Sequence, residues 1–258
     1  GTGTTIEFGQ STTLNGIVPT GATYTWPPAG TLSCYNCLTP IATPTPPVNT
    51  NILVKKINVK DENDNVISIS DFSYSGNKLL KITSTSGYDI YTYVGNLISK
   101  AEKYNSSDVL IGSEEYFYNS SGNLSSCIQK DYLNSYAYKE VYVYNIDGTV
   151  TRNSFSGNLV SQTTPYGYYG KLYFQNSELL KLEGYDNNNN TLVATSNYIY
   201  DGKNKPTRNI LGFDKIFFAF DRKGNFQNNM NTIYNSTEYT YDSNNFPITI
   251  IICFYLNN

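Results

Sequence analysis

The chain predicts an all-β fold: an antiparallel meander of about eight repeated β-hairpins, curled or spiral, preceded by a short β segment. Three observations carry this. Aromatic residues make up 15% of the 258, almost all of them the 25 Tyr and 12 Phe, and such side chains suit the half-buried surface of a pleated strand. Charged residues reach only 15%, against roughly 25% in ordinary soluble chains, so Asn, Ser, Thr and Gly supply the polarity and the turns. An aromatic-x-aromatic step followed by a turn also recurs along most of the chain.

The repeated unit is plain in Phe72-Ser73-Tyr74 before Gly76-Asn77-Lys78-Leu79, and in Tyr91-Thr92-Tyr93 before Gly95-Asn96-Leu97. It returns in Tyr116-Phe117-Tyr118 before Gly122-Asn123-Leu124, and in Tyr142-Val143-Tyr144 before Asp147-Gly148-Thr149-Val150. Leu172-Tyr173-Phe174 precedes Asn176-Ser177-Glu178-Leu179, and Tyr198-Ile199-Tyr200 precedes Asp201-Gly202. Phe218-Ala219-Phe220 before Gly224-Asn225-Phe226, and Tyr239-Thr240-Tyr241 before Asn244-Asn245-Phe246, close the series. Aromatics at i and i+2 share one face of a strand. Gly-Asn and Asp-Gly supply the positive φ that hairpin turns demand, and the next apolar residue opens the return strand. The second aromatics, at 74, 93, 118, 144, 174, 200, 220 and 241, lie 19 to 30 residues apart. That spacing accommodates a hairpin and a connection, so the array is expected to hold about sixteen strands. The repeated tyrosines are accordingly expected to pack the sheet rather than to bind.

Residues 1–42 form a separate compositional unit, with short strands expected at Thr5-Ile6-Glu7-Phe8, Thr12-Thr13-Leu14 and Tyr24-Thr25-Trp26. Residues 43–51, rich in Pro and Thr, read as an extended linker, and 52–258 as the repeat domain. The order GQSTTLNG, YTWPPAGTLSCYNC, PIATP resembles the start of the PKD/Ig-like modules of bacterial surface and secreted adhesins. It spans about 45 residues of a sandwich type that runs to about 100. Tyr200-Asp201-Gly202, Tyr241-Asp242-Ser243 and Phe220-Asp221-Arg222-Lys223-Gly224 resemble YD-repeat (Rhs-like) sequences. The earlier copies are closer to the degenerate YD-like repeats of bacterial exported lipoproteins. This resemblance implies a bacterial protein that is exported to the cell surface, the outer membrane or the medium. It does not imply the toxin-enclosing shell of large Rhs proteins, because unit lengths vary and no toxin domain follows.

Net charge is −3 and no basic run exceeds Lys55-Lys56, so neither a nucleic-acid footprint nor a polybasic membrane patch is present. The longest apolar run, Ile248 to Phe254, falls far short of the roughly 20 residues of a spanning helix. The sequence opens at Gly1 without Met, which suggests a trimmed form from which a signal or lipid anchor has been removed. In an exported protein Cys34 and Cys37 are the disulfide candidates. Cys127 and Cys253 either pair with each other or serve as small buried side chains.

The chain contains no His, which removes Ser-His-Asp and Cys-His catalysis and His-ligated metal sites. No P-loop, no G-x-S-x-G and no dinucleotide fingerprint occurs. Glu114-Glu115 is the obvious carboxylate pair, but strand neighbours point to opposite faces and cannot flank one glycosidic bond. Both are expected as solvent-facing charges. Asp61-Glu62-Asn63-Asp64-Asn65 imitates the start of a calcium loop, yet Val66 and Phe72 stand where Gly and Glu are required, so a hairpin turn explains it. Neither a metal, a cofactor nor an enzymatic activity is expected. Tyr166, Tyr168 and Tyr169 escape the repeat pattern; they lie in a stretch punctuated by Pro165, Gly167 and Gly170, expected to be a loop. They are the candidate contact site. The function expected is that of a non-enzymatic interaction or accessory subunit docking on another envelope or secretion-associated protein. The alternative is a glycan-binding module using exposed tyrosines.

Overall fold

A computed structural model describes residues 12–14, 39–42, 52–60, 65–221, 227–229 and 235–254. The chain divides into two compact units, Gly1–Asn49 and Thr50–Asn258. In the first, β1 (Thr12–Thr13) pairs antiparallel with β2 (Ile41–Ala42). The other expected features of this region lie outside the described residues: the strands at 5–8 and 24–26, the cysteine pair Cys34 and Cys37, and the linker 43–50.

The second unit is dominated by one sheet. Its strands are β3 (Lys56–Lys60), β4 (Val66–Ser75), β5 (Lys78–Ser84), β6 (Gly87–Val94), β7 (Leu97–Asn105) and β8 (Leu110–Tyr118). They continue with β9 (Leu124–Asp131), β10 (Tyr136–Tyr144), β11 (Val150–Gly157), β12 (Gln162–Gln175), β13 (Glu178–Asp186) and β14 (Leu192–Asn197). The 12 strands are ordered as in the sequence, so each pairs with its chain neighbours, and the sheet is an antiparallel meander that does not close into a barrel. The segments flanking residues 61–64 pair as a hairpin, Ile57 opposite Ser70 and Val59 opposite Ser68.

Turn chemistry explains the regularity. In the loop from Asn119 to Asn123, the Asn119 side-chain oxygen accepts from the backbone N–H of Ser121 and of Asn123. Gly122 there takes φ 74°. The loops at 145–149 and 242–246 close with the same pair of backbone bonds, with Gly148 at φ 81° and Asn245 at φ 62° in the left-handed position.

The apolar side chains that open the return strands, Leu79, Ile98, Leu124, Val150 and Leu179, are all buried on one face of this sheet, as is Leu172 within β12. So are Tyr116 and Tyr142. This inner face is covered by the chain itself. After β14, β15 (Tyr200–Asn204) leads into turns, the one-turn helix α1 (Phe213–Ile216) and a 3-10 turn at Ala219–Asp221. Leu211 N–H donates to the Asn77 carbonyl at 2.9 Å, and Phe220 N–H donates to the Glu140 carboxylate at 3.0 Å. The covering segment therefore reaches from the β4–β5 turn to the middle of β10.

One expectation is corrected here. Phe218-Ala219-Phe220, read as a strand of the seventh hairpin, forms a turn running into the 3-10 turn at Ala219–Asp221, with Phe220 at φ 52°, and Phe218 and Ala219 are buried. The run Ile216-Phe217-Phe218-Ala219-Phe220 has no polar residue to alternate with, and a strand that is solvated on one side requires alternation. Of the sixteen strands described from residue 52 on, in line with the expected number, twelve form the continuous meander. The remaining strands pair two by two: β15 with β16 (Gln227–Asn229), and β17 (Asn235–Tyr241) with β18 (Pro247–Phe254).

Candidate functional site

Five of the units clasp a neighbouring segment through the hydroxyl of their second tyrosine, whereas Phe174 at that place in β12 has none. Tyr118 donates to the Ile98 carbonyl at 2.6 Å, Tyr144 to Leu124 at 3.0 Å and Tyr200 to Leu179 at 2.6 Å. Tyr74 does the same to Val54 at 2.6 Å. Tyr93 accepts from Leu79 N–H at 3.0 Å and donates to the Leu211 carbonyl of the covering segment at 3.2 Å. Burial raises the pKa of Tyr74, Tyr118 and Tyr144, the last to about 12, so these phenols stay protonated as donors. The hydroxyls of these tyrosines are engaged within the fold.

A second pattern places Glu two residues ahead of Tyr, on the same strand face. Glu114 bonds to the Tyr116 hydroxyl and pairs with Lys103 at 3.0 Å. Glu140, fully buried, accepts from the Tyr142 and Tyr138 hydroxyls and from Phe220 N–H, and lies 3.4 Å from Arg152. Glu183 accepts from Tyr173 at 2.5 Å and Tyr185 at 2.7 Å beside Lys181 at 2.7 Å. Lys181, then the two phenols, hold its pKa down at about 2. Glu114 thus corrects an expectation: it is 3% exposed and not a solvent-facing charge. Its strand alternation turns it inward with Tyr116, while Glu115 faces out to Lys130 at 2.8 Å. The Glu-x-Tyr spacing was a readable signal for buried carboxylates held by phenols. Cys127 is a buried thiol beside this network, 3.7 Å from Glu140 and 3.6 Å from the Tyr142 hydroxyl. Among the described residues no group of three His, Cys, Asp or Glu is placed to hold a metal ion.

Tyr166, Tyr168 and Tyr169, expected in a loop, lie within the 14-residue strand β12. An irregularity in the β11–β12 register accommodates Pro165 and Gly167 without ending the strand. The three do not form one site. The Tyr166 hydroxyl meets that of Tyr136 at 2.9 Å and its ring packs edge-on against Tyr138 at 5.3 Å, on the inner face. Tyr168 alternates to that same side and is 57% exposed. Tyr169 points outward and stacks on Tyr185 at 5.2 Å with 12° between the rings.

Tyr169 belongs instead to a line across the outer face. Phe117, Ser126, Val141, Asn153, Tyr169 and Tyr185 are successive cross-strand partners from β8 to β13. None of the six carries a charge. Phe117 is 46% exposed, and Val143, two residues along from Val141 on the same face, is 50% exposed. Charged pairs flank the line, Glu115–Lys130 on one side and Lys171–Asp147 on the other. The sequence signal for this surface was Phe117, the one aromatic at the middle position of a Tyr-x-Tyr step, which alternation places opposite the packed tyrosines. Val141, Asn153 and Tyr185 carried no such signal, because only the register of the sheet aligns them.

The fold and this surface define an all-β open meander with one face covered by its own chain and the other presenting an uncharged stripe. No protein-family model matches the chain, and no curated protein does. Among solved structures it is similar to a porin-like protein from Bacteroides uniformis, at 10% identity and a TM-score of 0.35, over 78% of this chain and 83% of that one. A similarity of this degree assigns neither a role nor a location.

Proposed function

We propose that the chain is a non-enzymatic interaction subunit of a bacterial cell envelope, docking through its outer sheet face on another envelope or secretion-associated protein. The observation that carries this reading is the uncharged line from Phe117 to Tyr185 with Val143 beside it, exposed aromatic and β-branched side chains set between ion pairs. An apolar centre with a charged rim is the anatomy of protein interfaces. The buried carboxylates are consistent with a non-catalytic chain, since Glu114 and Glu140 are occupied by phenols and by Lys103 or Arg152. The envelope setting and export rest on the resemblance to YD-like repeats and on the low charge content.

The test is a paired affinity purification from envelopes of the native source, with the wild-type chain and with Phe117→Lys/Val143→Lys as bait. Both side chains are exposed, so the double variant is expected to keep the wild-type circular dichroism spectrum and melting temperature. A stoichiometric partner that the variant loses is the expected result. A partner retained equally by both baits, or polysaccharide turnover abolished by a single carboxylate substitution, would overturn the reading.

A further inference from the structure

Where the covering segment meets the hairpin turns, a groove of about 340 Å³ opens between α1 and the ends of β9 to β13. That volume is at the lower end of the ~300–1,000 Å³ typical of small-molecule sites. Its apolar wall includes Tyr144, Phe174 and Phe217, and its rim includes the carboxamides of Asn123, Gln175 and Asn176. We propose that this groove binds a neutral saccharide, a site separate from the protein-docking face and independent of it.

Three observations converge on that ligand class. First, the carboxamides of Asn123, Gln175 and Asn176 take no part in hydrogen bonds within the chain among the described residues. A carboxamide offers two donors and a two-lone-pair acceptor, which matches the hydroxyl groups of a sugar that both give and accept. Second, the groove has no net charge to attract an ion, because Asp214 and Lys215 on its rim pair with each other at 3.3 Å. The aromatic wall suits the apolar C–H face of a pyranose ring.

The third observation is the turn that carries Asn176. Three two-residue turns join strands at this end of the sheet: Gly76-Asn77, Gly95-Asn96 and Asn176-Ser177. The first two place glycine at φ 59°. The third holds Asn176 at φ 50° and Ser177 at φ 64°, both in the left-handed region that a two-residue hairpin turn requires and that Asn tolerates better than most residues. The one turn of the three that lines the groove therefore carries a side chain where its equivalents carry none. The Asn176 carboxamide is thereby set on the groove rim, where glycine at the equivalent position of the other two turns offers no side chain.

The experiment follows from that turn. The probes are maltose, cellobiose, lactose, mannobiose and chitobiose, titrated individually against the full chain and followed by saturation-transfer NMR. At least one is expected to bind with a dissociation constant of about 1 mM, ordinary for a shallow sugar site. Asn176→Gly is the informative variant. It retains the left-handed turn, so the fold is expected to be as stable as wild type or more so, while the amide is lost. Binding is expected to weaken by about tenfold, as for loss of one hydrogen-bonding group. Gln175→Ala, on the same rim, is expected to act in the same direction. The proposal is overturned if none of the five sugars binds, if both variants bind undiminished, or if Tyr168→Ala on the other part of the sheet abolishes binding in their place.

Discussion

The hydroxyl of Tyr118 donates to the carbonyl of Ile98, a 2.6 Å bond spanning 20 residues and tying its hairpin to the one before it. The same bond recurs from Tyr144 to Leu124 across 20 residues and from Tyr200 to Leu179 across 21. At these three positions the bond uses a phenol, whereas Phe174 at the equivalent place in β12 packs by its ring alone. Tyr118→Phe is therefore expected to destabilise the fold by about 1–2 kcal/mol, because the change leaves a buried carbonyl without its donor. Urea unfolding checks this: the midpoint should fall while the slope stays constant. A midpoint equal to wild type would mean that the ring alone carries the repeat.

Glu140 is the polar centre of the core. It is fully buried, sits 3.4 Å from Arg152 and accepts the Phe220 N–H that fastens the covering segment. Removing the carboxylate strands a guanidinium that is itself largely buried. Glu140→Ala is expected to cost about 3–5 kcal/mol, and Glu140→Gln less, because the amide oxygen still accepts from Phe220. Thermal melts of the two variants rank them directly.

Gly212 precedes α1 at φ 81°, and a Cβ there would stand 3.0 Å from the Asn96 carbonyl oxygen and 3.2 Å from the Ile98 nitrogen. Both atoms belong to backbone that cannot swing aside. At Gly76, φ 59°, a Cβ would meet nothing within 4 Å. Gly76→Ala thus measures conformational strain alone, about 1 kcal/mol, and Gly212→Ala is expected to cost more than that. Equal melting temperatures for the two would refute close packing of the covering segment on β7.

The acid limb of stability has an identifiable contributor. The pKa of Glu183 is held down at about 2 by Lys181, Tyr173 and Tyr185, against an ordinary value of 4.5. A depressed folded-state pKa stabilises above the unfolded value, and that contribution disappears as pH falls from about 4.5 through about 2. Melting temperature is expected to drop across this window, and less steeply in Glu183→Gln. An unchanged slope in the variant would assign acid sensitivity to other carboxylates, Asp147 among them, whose pKa is likewise held at about 2 by Thr149 and Lys171.

At the alkaline end the sign reverses. Burial pushes the Tyr144 phenol up to about 12 from 10.0. A raised pKa stabilises below the unfolded value, and the contribution is lost as pH rises from about 10 through about 12. Tyrosinate absorbance should therefore rise in two stages, exposed phenols first, with the late stage coinciding with loss of the β-sheet circular dichroism signal. A single early stage would contradict the buried phenols.

Much of the fold was legible in the residues. Alternation in segments such as Tyr142-Val143-Tyr144 determined strands and their faces, and Asn119 with Gly122, or Asn145 with Gly148, determined turns, because these depend on nearest neighbours along the chain. Cross-strand register, fold-back and partner choice do not depend on near neighbours. Ile216 to Phe220 became a cover because an uninterrupted apolar run gains most by burial, and the inner sheet face was the surface available to bury it. Glu114 and Glu140 turned inward because phenols of the same strand and cations from neighbouring strands meet them there.

For the candidate sites the division is the same. Tyr166, Tyr168 and Tyr169 stand together in the sequence, and strand alternation within β12 separates them onto two faces. Phe117 and Tyr185 are far apart in the sequence, and the register of six strands sets them on one line. The sequence by itself determined the unit, its turns and which residues could alternate. Only the tertiary structure decided which of those residues meet, since hydrogen-bonded register across a meander is a property of the whole sheet.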